Sequence, residues 1–281
     1  MKLESYRKRK DFLICVDSDG CAMDTMDLKH IRCFGPCMVE EWGLEEWKEP
    51  ILERWNVINL YSETRGINRF KGLAKMLLEI QEKYTEIEDL DSLVKWVDES
   101  PELSNAALAK AIRAAGGSVG LQKALSWSMR VNQKIDILSF DVKKPFDGVK
   151  EALSRAHEKA DIAIVSSANQ QAVEEEWGLY GLTRHVDILL SQEAGSKAFC
   201  IGELLKKGYD PEKVLMTGDA PGDLDAAVKN GVLFYPICVR HEKESWEEFD
   251  KEGVPRLLNG SYQGAYQEKK TKEFWDNLKS V

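Results

Sequence analysis

Four apolar runs in the second half of the chain, Asp161–Ser166, Val186–Leu190, Lys213–Thr217 and Val232–Tyr235, are interleaved with segments of helical pattern. The helical segments are Val149–Lys159, Gln170–Trp177 and Ser196–Lys207, with another starting near Asp223. Strands alternating with helices of this length predict βαβ units and a parallel sheet. A fifth run, Phe12–Asp17, stands far upstream. The residues between it and Asp161 hold no convincing strand but repeated helical periodicity: Val39–Trp47, Pro50–Leu60, Leu73–Lys83, Ser92–Val97, Ala106–Ala114 and Leu121–Met129. A gap that long is too large for an unstructured connection and predicts an inserted domain, with Ser139–Lys144 as the return linker. The expected class is therefore α/β. Residues 1–24 and 143–281 form a core around a Rossmann-like five-stranded parallel sheet, and residues 25–142 form a helical insertion. The tail beyond Pro236, charged but carrying Trp246, Phe249, Phe274 and Trp275, is expected to pack as helices on the outside.

An apolar content of 43% over 281 residues is ample for real cores. The formal net charge of −9 argues against nucleic acid or an anionic membrane surface as partner. The six cysteines include no CxxC, and Cys33 and Cys37 lack a second ligand pair at zinc-finger spacing. Reduced thiols in a cytoplasmic protein, monomeric or a small homo-oligomer, are the expectation. The basic start (Lys2, Arg7, Lys8, Arg9, Lys10) precedes an apolar run too short for a signal peptide or a membrane span, and reads as a frayed terminus.

Polar groups sit where the strands end. Asp17-Ser18-Asp19-Gly20 follows Phe12–Val16 directly; on a continuing strand the two acids share a face, and Gly20 lets the chain turn. Paired carboxylates at a strand tip suit Mg²⁺, and one can serve as a nucleophile; a strand with an acidic turn is the plainer alternative. Ser166-Ser167-Ala168-Asn169 is a tip whose hydroxyl and amides suit a phosphate, or an ordinary helix N-cap. Lys197 opens a helix, where the dipole disfavours a cation, unless it is simply solvated. Gly218-Asp219-Ala220-Pro221-Gly222-Asp223 places two acids at a strand-to-helix turn, with Asp223 as the expected N-cap.

The succession acids, hydroxyl, lysine, acids, each closing a separate strand, resembles the motif series of the haloacid dehalogenase-like superfamily of hydrolases, and Gly20–Thr25 resembles the point where that superfamily's cap begins. The resemblance implies that Asp17 is a nucleophile forming an aspartyl phosphate and that Asp19 is the general acid and base. Ser166 and Lys197 bind the transferring phosphoryl group, with Ser167 and Asn169 beside it. Mg²⁺ is held by Asp17, the backbone carbonyl of Asp19, and Asp219, with Asp223 helping directly or through water. Within the superfamily, an acid two residues after the nucleophile favours phosphatase or phosphomutase chemistry over dehalogenation.

In the insertion, Thr64-Arg65-Gly66-Ile67-Asn68-Arg69-Phe70-Lys71-Gly72-Leu73 reads as a flexible basic loop between helices, or as a solvated turn. It resembles the specificity loop of β-phosphoglucomutase-like members, which implies substrate contacts from Arg65 and Arg69. Lys29 stands where mutases of that subfamily carry a hinge histidine, and His30 follows one residue late. That departure favours a phosphatase of a small phosphorylated metabolite over a sugar phosphomutase, and the intact set Asp17, Asp19, Lys197 and Asp219 speaks against the third alternative, a non-catalytic ligand-binding protein. The tryptophans Trp42, Trp47, Trp55, Trp96 and Trp127 lie at helical spacings that suit a core.

Overall fold

The structure, a computed structural model, describes residues 3–114, 116–139 and 142–279; Lys2 and part of the expected return linker, Phe140 and Asp141, lie outside the described residues. The chain divides into two compact units, residues 1–26 with 140–281, and residues 27–139.

The first unit begins with β1 (Phe12–Val16) and a two-residue strand β2 (Met23–Asp24). The second unit follows. A helical run from α1 (Met26–Lys29) passes through a π turn, His30–Phe34, into α2 (Gly35–Trp42). It continues through α3 (Lys48–Leu60), α4 (Arg69–Lys83), α5 (Leu90–Glu99), α6 (Asn105–Ala114) and α7 (Val119–Asp136). The chain re-enters the first unit at β3 (Lys144–Pro145) and proceeds through α8 (Val149–His157), β4 (Ala160–Val165), α9 (Gln170–Leu179), β5 (Ile188–Leu190) and α10 (Lys197–Leu205). Then come β6 (Val214–Gly218), α11 (Pro221–Asn230), β7 (Leu233–Pro236), α12 (Glu242–Glu248), α13 (Val254–Asn259) and α14 (Ala265–Lys279).

The main sheet has five strands in the order β5-β4-β1-β6-β7. Its pairings are all parallel, with Ile14 opposite Ile162 and Val16 opposite Thr217. Covered on both faces, these strands read as unbroken apolar runs rather than alternating ones; Leu13 to Val16 are wholly buried. The chain steps outward from β4 to β5, then returns across β1 to β6 and β7. The carboxyl end of β1 therefore sits where the strand order reverses, the place where open α/β sheets form a crevice.

Several sequence expectations are corrected. The strand and helix bounds shift by a few residues, and α4 starts at Arg69 rather than Leu73 because the Asn68 side chain accepts the Phe70 N–H as an N-cap at 3.0 Å. The antiparallel ribbon of β2 with β3 was not foreseen; two residues a side are too few to show alternation. The basic start is not frayed from Leu3 onward. Tyr6 and Tyr209 share a hydroxyl bond at 2.6 Å, the Asp161 carboxylate accepts the Arg9 and Lys10 amides at 2.9 and 3.0 Å, and the Lys10 ammonium donates to the Ala160 carbonyl at 3.1 Å. The tail forms helices as expected, but it is not merely external: Trp246, Phe249, Val254, Leu257, Tyr262 and Tyr266 belong to the same core cluster as Ile14, Val16 and Ile164.

The second unit closes around its own core of Trp55, Trp127, Phe70 and Trp96. Trp55 and Trp127 meet edge to face at 6.1 Å, and the Trp127 indole donates to the Phe34 carbonyl at 3.1 Å. No disulfide joins the six cysteines among the described residues, and no helix among those residues is long and apolar enough to cross a membrane.

Candidate active site

Asp17 is the first residue past β1, its N–H bonded to the Thr217 carbonyl at 3.0 Å. The strand does not continue to Asp19, as the sequence suggested. The Ser18 carbonyl instead accepts the amides of Cys21, Ala22 and Met23, and Gly20, at φ 81°, turns the chain. The acids are thus presented by a tight turn. Asp17 is buried, whereas Asp19 is part-exposed and receives the Thr25 hydroxyl at 2.6 Å.

The next tip follows β4. Ser166 is buried, its N–H bonded to the Leu190 carbonyl at 2.9 Å and its hydroxyl accepting the Ala168 amide at 3.1 Å. The N-cap of α9 is Asn169, whose side chain accepts the Ala172 amide at 2.8 Å; Ser167 and Asn169 are exposed. On the far side of β1, α11 starts at Pro221, so Ala220 is the N-cap and Asp223 the third helical residue. Asp223 reaches back to accept the Ala220 amide at 3.0 Å. This corrects the expected cap and explains Gly218: a Cβ there would lie 2.3 Å from the Asp223 carboxyl. Gly218→Ala is expected to cost about 2 kcal/mol or more, because neither group can retreat, read as a fall in denaturation midpoint.

Lys197, the first residue of α10, joins these elements. Its ammonium lies 2.9 Å from Asp17 Oδ2 and 2.5 Å from Asp223 Oδ1. Carboxylate oxygens of Asp17, Asp219 and Asp223 lie within 4.8 Å of one another, and all three residues are buried. Burial pushes the Asp17 carboxyl well above the usual range; Lys197 opposes the shift, while Asp223 and Asp219 add to it. Burial works to lower the Lys197 pKa, but Asp17 and Asp223 outweigh it and hold the ammonium charged. Burial, then the charges of Asp219, Asp17 and Asp223, push the Cys21 thiol well up, so it is an inert thiol.

Three carboxyl groups face one ammonium in a buried space, so ionising all three calls for further positive charge. The donors are hard oxygens without a cysteine or histidine among them, which fits a divalent cation of the Mg²⁺ kind. The structure thus brings together Asp17, Lys197, Asp219 and Asp223. The Asp19 carboxylate stands outside the three-acid group.

The sequence model of a family described as haloacid dehalogenase-like hydrolase matches residues 94–237, just over half of the chain. The chain belongs to this family. The match takes in Ser166, Lys197, Asp219 and Asp223 but not Asp17 and Asp19, which join them through the pairing of β1 with β4 and β6. No curated protein matches the sequence. Among solved structures, a haloacid dehalogenase-like family hydrolase from Streptococcus pneumoniae is 12% identical at a TM-score of 0.44, covering 84% of this chain and 90% of its own. A hydrolase of the same superfamily, subfamily IA, variant 1, from Geobacter sulfurreducens PCA is 14% identical at 0.43, covering 82% and 88%.

The expected basic loop of the second unit is mostly not a free loop. Arg65 is buried, donates to the Leu60 carbonyl at 2.7 Å and lies 3.8 Å from Asp27, which also accepts the Tyr61 hydroxyl. Arg69 sits in the first turn of α4, donates to Ser128 Oγ and Asn132 Oδ1 at 3.0 and 2.7 Å, and lies over the Phe34 ring at 4.9 Å. Burial pulls its guanidinium down to about 10. His30 stacks on Phe34 and receives the Trp55 indole at 3.2 Å. Sequence reasoning missed the indoles of Trp177 and Trp246, which donate to Ser18 Oγ and the Cys21 carbonyl, each at 2.9 Å.

Proposed function

We propose that this hydrolase is a Mg²⁺-dependent phosphatase acting on a small phosphorylated metabolite, with Asp17 as nucleophile. The observation that carries the reading is the buried grouping of Asp17, Asp219 and Asp223 about Lys197. A carboxylate oxygen of Asp17 attacks phosphorus, the bond from phosphorus to the leaving oxygen breaks, and Asp19 gives that oxygen its proton. Water then attacks the aspartyl phosphate and passes a proton to Asp19; the bond to Asp17 breaks, freeing its carboxylate and inorganic phosphate. Lys197 and the Ser166 hydroxyl hold the phosphoryl oxygens in both halves. Asp17, the Asp19 carbonyl, Asp219 and Asp223 would hold Mg²⁺, whose charge offsets that of the acids and phosphate when bound. In the inserted unit, proposed as the cap, Arg69 is the candidate for an anionic or hydroxyl-rich part of the substrate, because its guanidinium meets a hydroxyl, an amide and a ring, and no carboxylate among the described residues. Arg65 already serves Leu60 and Asp27.

The test is phosphate release from a panel of phosphorylated metabolites with Mg²⁺ and again with EDTA. Release that EDTA abolishes supports the reading; isomerisation of a sugar phosphate without net release would replace it with a mutase. Mg²⁺ alone is expected to stabilise the fold. At a hundredfold excess over its dissociation constant the gain is about 2.7 kcal/mol, seen as a higher unfolding midpoint that EDTA reverses. An unmoved midpoint would mean that the carboxylates do not form a cation site.

A further inference from the structure

The turn that presents Asp17 and Asp19 is held by groups outside every motif considered above. Trp177 on α9 donates its indole N–H to Ser18 Oγ, and Trp246 on α12 donates to the Cys21 carbonyl, each at 2.9 Å. The Phe146 amide adds a bond to the Ala22 carbonyl at 3.0 Å. Both indoles are wholly buried. An indole has one donor and no acceptor, so burial commits each N–H to the acceptor it faces. The two acceptors, at residues 18 and 21, bracket Asp19 and the glycine after it. Gly20 sits at φ 81°, a conformation that glycine adopts freely and therefore does not enforce.

Asp17 depends on none of this: its amide is bonded to β6 and its carboxylate faces Lys197. Asp19 lies beyond the sheet, on the turn itself. We propose that Trp177 and Trp246 are positioning residues that fix the Asp19 carboxyl for proton transfer to the leaving oxygen. The proposal rests on the phosphatase reading and adds to it a role for the C-terminal tail, which supplies Trp246.

Trp246→Phe keeps a buried aromatic ring and removes the N–H with the rest of the pyrrole ring, leaving a small cavity. It leaves one carbonyl unsatisfied, a loss that a folded domain tolerates. The experiment measures kcat and KM for aryl phosphates graded from dinitrophenyl to phenyl phosphate, with Mg²⁺. Dinitrophenolate leaves without a proton, whereas phenolate needs one. The variant is expected to lose at least about tenfold more kcat/KM on phenyl phosphate than on dinitrophenyl phosphate, with the loss in kcat and KM unmoved. Trp177→Phe, which releases Ser18 instead, is expected to steepen the dependence in the same direction and decides the matter should Trp246→Phe fail to fold. Equal losses on both esters, or none, would overturn the proposal. Wild-type protein that releases no phosphate from any aryl or metabolite ester would instead overturn the phosphatase reading.

Discussion

Asp17→Asn is expected to abolish phosphate release, lowering kcat by about four orders of magnitude or more, because an amide oxygen cannot take the place of the attacking carboxylate. Phosphate release and intact mass after incubation with substrate check it: the parent passes through a phosphorylated form and the variant does not. The same substitution is expected to stabilise the metal-free protein near neutrality. Burial raises the Asp17 pKa above its unfolded value despite Lys197. The folded state therefore binds the proton more tightly than the unfolded state, and metal-free stability falls as pH climbs from about 4 through the raised folded value. Asparagine has no proton to lose there, so its denaturation midpoint should fall less over that range. An inactive but more stable variant is the signature of a group placed for chemistry at the expense of the fold.

The order of strand tips was legible because buried parallel strands are continuous apolar runs, and the polar residue that ends each run is conspicuous. Asp17, Asp219 and Ser166 were singled out in this way, and Lys197 by its unfavourable place at a helix start; the structure brings the first two together with Lys197. The geometry of the turns was less legible. Pro221 could have signalled that α11 begins before Asp223, since proline favours the first helical position, and Asn68 could have marked the start of α4 just as Asn169 marks α9. The tail misled because Glu242, Lys243, Glu244, Glu247 and Glu248 surround Trp246 and hide a buried ring in a charged segment. Trp246 and Phe249, three apart on one helical face, were the available signal. That Trp246 reaches the Cys21 carbonyl, 225 residues away in the chain, depends on tertiary packing that no local pattern encodes.

Lys197→Met should have the largest combined effect, because this one ammonium faces both Asp17 and Asp223. Removing one partner of a buried ion pair while the other charges remain costs about 3–5 kcal/mol, and loss of a cation beside the transferring phosphoryl group costs about 100- to 1,000-fold in kcat. The pH dependence follows from the signs. The folded pKa of Lys197 is raised, so the lysine stays charged below the unfolded value of about 10.4, and on the alkaline side its contribution is lost only as pH rises through the folded value. In the variant the acids lose their counter-charge, and protonation relieves them in acid. The gap in denaturation midpoint between parent and variant should therefore be small at acidic pH and widen towards neutrality; a constant gap would mean that the lysine acts through packing alone. Adding Asp223→Asn to Lys197→Met removes one of the stranded charges. The double variant is expected to recover part of the stability and none of the activity, because the repulsion is relieved while the phosphoryl group still lacks its ammonium.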